Sequence, residues 1–225
     1  MHGLPTLISN TMMYHKLIRL TTTLGLSLFS GVCFAGKGTE IKPILAKPDK
    51  VTVDESFAGS ELGTQWKVAK GDWHVKDGAL VGKEKKDDNH AAVCALNQPN
   101  HNSIIRFSFK LDGVKGVTLS YNQAKGHLFR VIVDEKSISI NLDKDKKDTD
   151  SKPVVLGKTE VKLEPGQWIT LQVEVKGDKV AVQTDTGAKL EATHATLDVD
   201  KTGYRFVVKG ESLLLDDVKA WEIAP

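Results

Sequence analysis

Hydrophobic and polar residues alternate with a period of two along most of the chain after residue 50. The alternation is clearest in residues 103–111, where Ile105, Phe107, Phe109 and Leu111 are interleaved with Arg106, Ser108 and Lys110. Residues 116–122 and 167–176 follow the same pattern, and Gly- or Pro-containing turn segments stand between such runs, at 112–116, 165–167 and 176–178. Since successive side chains of a strand point to opposite faces, this pattern predicts antiparallel sheet with one face buried.

Thirteen segments are predicted to be strands by this criterion: 51–57, 66–69, 72–76, 79–83, 91–96, 103–111, 116–122, 127–134, 137–142, 167–176, 179–185, 204–209 and 212–222. No stretch has an apolar stripe at helical spacing over three turns. The chain is therefore predicted to be all-β. So many strands in one domain favour two antiparallel sheets packed as a sandwich.

The first 35 residues have a different composition from the rest. They contain no Asp or Glu, and Lys16 and Arg19 precede an apolar stretch that ends at the small residues Cys33 and Ala35. This order is typical of a signal peptide, and the threonines and serines within the stretch disfavour the alternative of a membrane-spanning helix. We predict a signal peptide over 1–35, a polar linker over 36–50 and one domain over 51–225. The chain is then exported to the periplasm, the cell envelope or the extracellular space, with no membrane span after cleavage.

Cleavage at this position would leave a formally neutral chain. The full sequence has 31 Lys and Arg and 29 Asp and Glu, and residues 1–35 hold two of the basic residues and none of the acidic ones. A neutral chain has no basic field to attract nucleic acid, so no nucleic-acid partner is predicted. Cys94 would be the only cysteine left. It cannot form an intrachain disulfide, and we interpret it as a small buried apolar residue.

No spacing in the sequence identifies a metal or cofactor site. The charged run 143–153 alternates Asp with other residues but lacks the glycine and the final Glu of a calcium loop, so it is predicted to be a solvated loop. The histidines do not stand at metal-binding intervals. No metal and no cofactor are predicted. Glycoside hydrolysis would need two facing carboxyl groups, and the candidates on predicted strands are Asp134, Glu174, Asp216 and Asp217.

The arginines are more informative than the carboxylates. After residue 35 the chain has 26 lysines but only Arg106, Arg130 and Arg205, and all three lie within predicted strands. Arginine is preferred over lysine for directed hydrogen bonds at partly buried positions. Two interpretations stay open: an internal ion pair or carbonyl contact of the sandwich, or a polar sheet face that presents Arg to a sugar or an acid.

Arg130 lies in a predicted hairpin, whose turn is flanked by Asn122 and His127. A four-residue turn would pair Asn122 with His127 and put Tyr121 on the side of Arg130, whereas a bulge would reverse that. The candidate ligand-binding residues are Arg106, Tyr121, Asn122, His127 and Arg130. The four tryptophans are predicted to pack in the core or at its edge, with Trp66 the most open to a surface role in sugar stacking.

Three segments, 54–84, 163–187 and 211–222, together resemble domains of the concanavalin A-like lectin/glucanase superfamily. Within this superfamily the three segments resemble secreted bacterial domains known as 3-keto-disaccharide hydrolase or family-sixteen-like glycoside hydrolase. The resemblance implies a jelly-roll sandwich with a concave face that often holds sugar. The chain lacks the Glu-x-Asp-x-x-Glu motif of the family-sixteen hydrolases and the Asn-Ser-Gly that precedes an arginine-bearing strand in the other branch.

The resulting functional prediction is a secreted domain that binds a saccharide on its concave sheet. Two alternatives stay open: a hydrolase of the 3-keto-disaccharide or glycoside type, and a protein-interaction or structural domain of the cell envelope. The missing motifs leave open whether the chain is an enzyme.

Overall fold

A computed structural model describes residues 40–145 and 148–224. The predicted signal peptide and its cleavage site lie outside the described residues. The strands are β1 (Pro48–Glu55), β2 (Trp66–Lys70), β3 (Asp72–Lys76), β4 (Ala79–Lys83), β5 (Ala92–Leu96), β6 (Ser103–Leu111), β7 (Gly116–Gln123), β8 (Gly126–Asp134), β9 (Ser137–Leu142), β10 (Val154–Glu160), β11 (Trp168–Lys176), β12 (Lys179–Thr184), β13 (Lys189–Thr193), β14 (Gly203–Val208) and β15 (Leu213–Ile223). Two short 3-10 helices, Lys86–Asp88 and Ala195–Leu197, lie between strands.

The strands form two antiparallel sheets, which confirms the predicted all-β class. Sheet A has the order β13-β12-β11-β6-β15-β4-β3, and β1 pairs with β15 as well. Sheet B has the order β10-β9-β8-β7-β14-β5-β2. Neighbours in sheet A include β6 and β15, which are about 100 residues apart in sequence, so long-range pairing and not only hairpins defines the sheets.

The core lies between the two sheets and is built from the alternating apolar positions. In β6, the residues Ile105, Phe107 and Phe109 are fully buried, as the alternation predicts. Phe107 of sheet A meets Phe206 of sheet B edge to face, with 5.1 Å between ring centroids. Trp66 of sheet B also stacks with Phe206, with 5.7 Å between ring centroids. Aromatic contacts between the two layers therefore bury area that belongs to both sheets at once.

Two strands, β10 and β13, are absent from the sequence prediction. Each is the last strand of its sheet, β10 in sheet B and β13 in sheet A. The alternation in β13 is weak because no residue of the strand is fully buried, and Val154 and Val155 of β10 are among the most exposed large apolar residues. Edge strands have one neighbour and little burial, so their sequences carry a weak period-two signal.

The segment before β1 packs on the outer face of sheet A. Residues 40–47 fall in the predicted linker, and Ile41 is buried there. The backbone N–H groups of Ile44 and Leu45 donate to the carboxylate of Glu174 on β11, at 2.9 and 2.7 Å. The side-chain amide of Gln183 on β12 donates to the carbonyl of Lys42 at 2.8 Å. These bonds explain why Glu174 is buried although the alternation of β11 points it away from the core.

Candidate functional site

The hairpin of β7 and β8 positions the first set of candidate residues. Asn122 pairs with His127, as a four-residue turn requires, but the register then shifts so that Tyr121 pairs with Phe129 and Ser120 with Arg130. The shift is a β-bulge, in which one extra residue reverses the facing of the rest of the strand. It directs Arg130 to the outer face of sheet B and leaves Tyr121 facing the core.

Tyr121 is fully buried, with its ring stacked 4.3 Å from that of Phe129. Burial raises the pKa of its phenol well above the ordinary value. Its hydroxyl has no hydrogen-bond partner among the described residues. Tyr121 therefore lies on the opposite side of β7 from Arg130 and cannot share a surface site with it.

Two rows of side chains cross the outer face of sheet B. In the first row, Arg205 on β14 pairs with Ser120 on β7, and Ser120 pairs with Arg130 on β8. The second row is mainly apolar and contains Val207, Thr118 and Ile132. Because paired residues of antiparallel strands point to the same face, each row presents its side chains side by side.

A cleft of about 310 Å³ lies over these rows, and we call it the sheet B cleft. Its lining residues are His90, Ala91, Val93, Thr118, Ser120, His127, Arg130, Ile132, Arg205 and Val207. The cleft thus brings together His127 and Arg130 from the predicted site. Asn122 lies directly beneath, since its side-chain oxygen is 2.7 Å from Nδ1 of His127.

The charges of the cleft come from its two arginines. A terminal nitrogen of Arg130 is 2.7 Å from Oδ1 of Asp143, whose side chain is 15% exposed, while that of Arg130 is 39% exposed. Oδ2 of Asp143 is buried and has no hydrogen-bond partner among the described residues. Arg205 is exposed. The carboxylate of Asp143 holds Arg130 in place beside Ser120, and the remaining guanidinium N–H groups are available to a ligand.

Arg205, His90, Thr118 and Ser120 are lining residues that the predicted set of five does not include. The sequence did single out Arg205, as one of only three arginines after residue 35 and as one that lies within a predicted strand. It is 75 residues from Arg130 in sequence, so only the pairing of β14 with β7 brings the two together. His90 follows the first 3-10 helix in an irregular segment, where no periodicity marks its direction.

Arg106 belongs to a different surface. On the outer face of sheet A, its Nε and a terminal nitrogen donate to the side-chain oxygen of Gln172 at 2.9 and 2.7 Å. A further bond reaches the carbonyl of Ile41, and the guanidinium lies 5.4 Å from the ring centroid of Trp221. Burial lowers the pKa of Arg106. A second cleft of about 300 Å³ beside it is lined by Asp54, Arg106, Ser108, Thr170, Asp217, Lys219 and Trp221.

Three of the four candidate catalytic carboxylates have structural partners. Glu174 binds the segment before β1, as described above. Asp134 accepts from the backbone of Lys136 and Ser137, and these bonds lower its pKa although partial burial opposes the shift. Asp216 accepts from the backbone of Asp217. Partial burial raises the pKa of Asp216, and this carboxylate lines neither of the two clefts.

The tryptophans divide between the core and sheet A. Trp66 and Trp73 are buried, so the prediction that Trp66 is the most surface-exposed of the four is wrong. Trp168 and Trp221 are partly exposed on sheet A, beneath Lys110 and Arg106 respectively. The sheet B cleft contains no aromatic ring except those of its two histidines.

Within residues 40–145 and 148–224, no three His, Cys, Asp or Glu side chains are grouped so that they could hold a metal ion. In the same residues there is no helix long and apolar enough to cross a membrane. The polar side chains that line the sheet B cleft offer hydrogen bonds and positive charge.

The described residues form a jelly-roll β-sandwich, a fold shared with a solved carbohydrate-binding module and with solved glucanases. The carbohydrate-binding module CBM66 from Bacillus subtilis superposes with a TM-score of 0.57 at 11% identity, covering 71% of this chain and 96% of that one. The laminarinase from Flavobacterium sp. UMI-01 superposes with a TM-score of 0.56 at 13% identity, covering 77% of this chain and 100% of that one. Porphyranase B from Zobellia galactanivorans superposes with a TM-score of 0.56 at 10% identity, covering 76% of this chain and 91% of that one.

At such identities these matches establish the fold, and the function has to be argued from the site. No protein-family model matches the sequence, and no curated protein is similar to it.

Proposed function

We propose that the protein is an exported domain that binds a saccharide in the sheet B cleft. The observation that carries the proposal is the row Arg205, Ser120 and Arg130 on an open sheet face, with His127 at its side. Sugars offer many hydroxyl groups, and guanidinium, imidazole and hydroxyl groups are the directed partners that such ligands need. The aliphatic row of Val207 and Ile132 supplies an apolar surface for the C–H face of a sugar ring.

Binding is favoured over hydrolysis by the composition of the cleft. A glycoside hydrolase of the usual kind needs two carboxyl groups on either side of the scissile bond. Of the described residues, no Asp or Glu lines the sheet B cleft. The carboxylate that lies nearest in the hydrogen-bond network, Asp143, is ion-paired with Arg130. Hydrolysis of a 3-keto-disaccharide or another glycoside is the alternative function, and it would need carboxyl groups that this cleft does not present.

Isothermal titration of the protein against a panel of neutral and acidic oligosaccharides tests the proposal. We expect at least one sugar to bind, and Arg130→Ala to weaken that binding about tenfold or more, since a hydrogen bond to a charged group contributes about 1.5–3 kcal/mol. The matched control is Arg106→Ala, which removes the same side chain from the same kind of central-strand position on the other sheet. We expect the control to keep the wild-type affinity.

Three measured outcomes separate the functions. No heat with any sugar would overturn the proposal. Equal loss of affinity in both variants would place the ligand elsewhere. Chromatography of the same mixtures reports turnover, and release of shorter sugars above the blank would establish the hydrolase alternative instead. Thermal melting of both variants shows whether a loss of affinity reflects a loss of folded protein.

A further inference from the structure

The sheet B cleft has an uneven charge. One of its rows carries Arg205 and Arg130 on either side of Ser120, and the adjoining row is aliphatic. Neighbouring strands are about 4.8 Å apart, so the Cα atoms of the two arginines are about 10 Å apart across β7. Two long guanidinium side chains at that separation can both reach one group placed over Ser120.

The positive charge of this row is only half compensated by the protein. Arg130 uses one terminal nitrogen on Asp143, and this pair is internally neutral. Arg205 makes no hydrogen bond or ion pair with any of the described residues, and no carboxylate is found among the residues that line the cleft. A net positive charge therefore faces the cleft. The aliphatic floor is formed by residues such as Val93, Ile132 and Val207. An apolar wall has a low dielectric constant, which strengthens electrostatic attraction beside it.

A neutral sugar alone does not account for this arrangement. Hydroxyl groups of a sugar can be bound by Ser, Thr or His, all of which already line the cleft. The guanidinium group is instead the side chain whose planar fork matches a carboxylate or a sulfate. The chain elsewhere uses lysine almost without exception for its positive charges, and in this cleft it has arginine twice.

We propose that the ligand is an anionic saccharide whose carboxylate or sulfate group binds between Arg205 and Arg130. This inference rests on the proposed saccharide site and specifies its ligand class. Arg130, held by Asp143, is the fixed side of the anion site, and Arg205 is the side that closes on the ligand. The aliphatic row then contacts the ring that carries the acid group.

The test compares sugars that differ only in charge. Trigalacturonate and trimannuronate are titrated alongside their methyl esters, and sulfated laminaritriose alongside laminaritriose. We expect at least one acidic sugar to bind tenfold or more tightly than its uncharged counterpart, and the difference to shrink as salt is added. The carboxylate and sulfate arms distinguish the two sources of the anion.

Arg205→Ala is the decisive variant, since Arg205 has no partner whose loss would affect folding. It should abolish the preference for the acidic sugar while the melting temperature stays within about 1 °C of wild type. Lys209→Ala is the matched control, because it removes one exposed positive charge just after the same strand, outside the cleft lining. The control should keep the preference.

The outcomes separate this inference from the proposed function. If neutral sugars or methyl esters bind as tightly as the acids, the proposal of an anionic ligand is overturned, whereas the proposal of saccharide binding stands. A preference for acids that survives in Arg205→Ala would also overturn it. A complete absence of binding to either class would overturn both the proposed function and this inference.

Discussion

The three arginines of the described residues have three different environments. Arg106 donates to Gln172 and to the carbonyl of Ile41, so its role is to join sheet A to the segment before β1. Arg130 is ion-paired on one side and open to the sheet B cleft on the other. Arg205 is fully available to a ligand. The strands that neighbour each arginine therefore decide whether its guanidinium group is bonded within the protein, as in Arg106, or exposed, as in Arg205.

His101 lies between two carboxylates near the second 3-10 helix. Its Nδ1 is 2.7 Å from Asp200 and its Nε2 is 2.9 Å from Asp198. Both ring nitrogens can donate at once only in the protonated imidazolium. The hydrogen bonds to Asp200 and Asp198 accordingly raise the pKa of His101.

This shift predicts the sign of a pH dependence of stability. In the folded protein the pKa of His101 is raised above its ordinary value of about 6.5. The stability that protonated His101 contributes is therefore fully present below about pH 6.5, and it is lost as the pH rises through the folded-state pKa. We expect the melting temperature of His101→Gln to approach that of wild type as the pH is raised to about 8.5. The difference in melting temperature between wild type and His101→Gln at low pH should be modest, because the His101 side chain is 43% exposed.

Differential scanning fluorimetry between about pH 5.5 and 8.5 measures this dependence. The control is His90→Gln, since within the described residues the ring of His90 makes one hydrogen bond, to the carbonyl of Ala91, and contacts no carboxylate. A gap between wild type and His101→Gln that widens with rising pH would contradict the assignment.

At the scale of elements, the segment 40–47 is held by one buried carboxylate. Glu174 is 1% exposed and accepts from the backbone of Ile44 and Leu45 and from the side-chain amides of Gln172 and Gln183. Every group around it is a donor, which suits a carboxylate because it only accepts. The segment therefore acts as a strap that completes the outer face of sheet A.

Glu174→Gln tests the strap. The substitution replaces one acceptor oxygen of the carboxylate by an NH2 group, a donor that would face other N–H donors. We expect a loss of about 1–3 kcal/mol in the free energy of unfolding, the cost of an unsatisfied buried polar group. Limited proteolysis should cleave the variant faster between residues 40 and 47, because the strap loses its main anchor. Glu160→Gln, at an exposed site on β10, should leave both properties unchanged. An unchanged proteolysis rate in Glu174→Gln would show that the strap does not depend on this carboxylate.

The elements also show where prediction from sequence ends. The interior strands β6, β7 and β11 follow from alternation because a strand with neighbours on both sides must send every second side chain into the core. The edge strands β10 and β13 could not be predicted from alternation, since their side chains are partly exposed on both faces. The bulge in the β7–β8 hairpin was one of two registers compatible with the sequence. The bulged register that the protein adopts buries Tyr121 and Phe129 together.

At the scale of the whole molecule, the sandwich formed by residues 40–145 and 148–224 contains a single cysteine, Cys94, and no disulfide. Cys94 is buried, and burial raises the pKa of its thiol to about 12. A domain of more than 150 residues buries roughly 70% of its unfolded surface, which is enough for a core that needs no cross-link. Stability therefore has to come from the apolar side chains between the sheets.

For a protein that lacks residues 1–35, we expect the thermal unfolding midpoint to be the same, within about 1 °C, with and without a reducing agent. Cys94 is then the only thiol, and its high pKa and burial prevent it from forming a disulfide while the fold is intact. Calorimetry under both conditions measures this. A midpoint several degrees lower under reduction would mean that a disulfide between two chains stabilises the fold.

The sequence alone determined which side chains turn inward in interior strands such as β6, because the two-residue period is a local property of an extended backbone. It therefore specified the all-β class, the two layers and the inward side chains of β6, such as Phe107. Only the tertiary structure decided which strands are neighbours and in what register. That choice put Arg106 on one outer face and Arg130 on the other, and brought Arg205 beside Ser120. Such pairings join residues far apart in the chain, and they depend on how two complete sheets close over one core rather than on any local pattern.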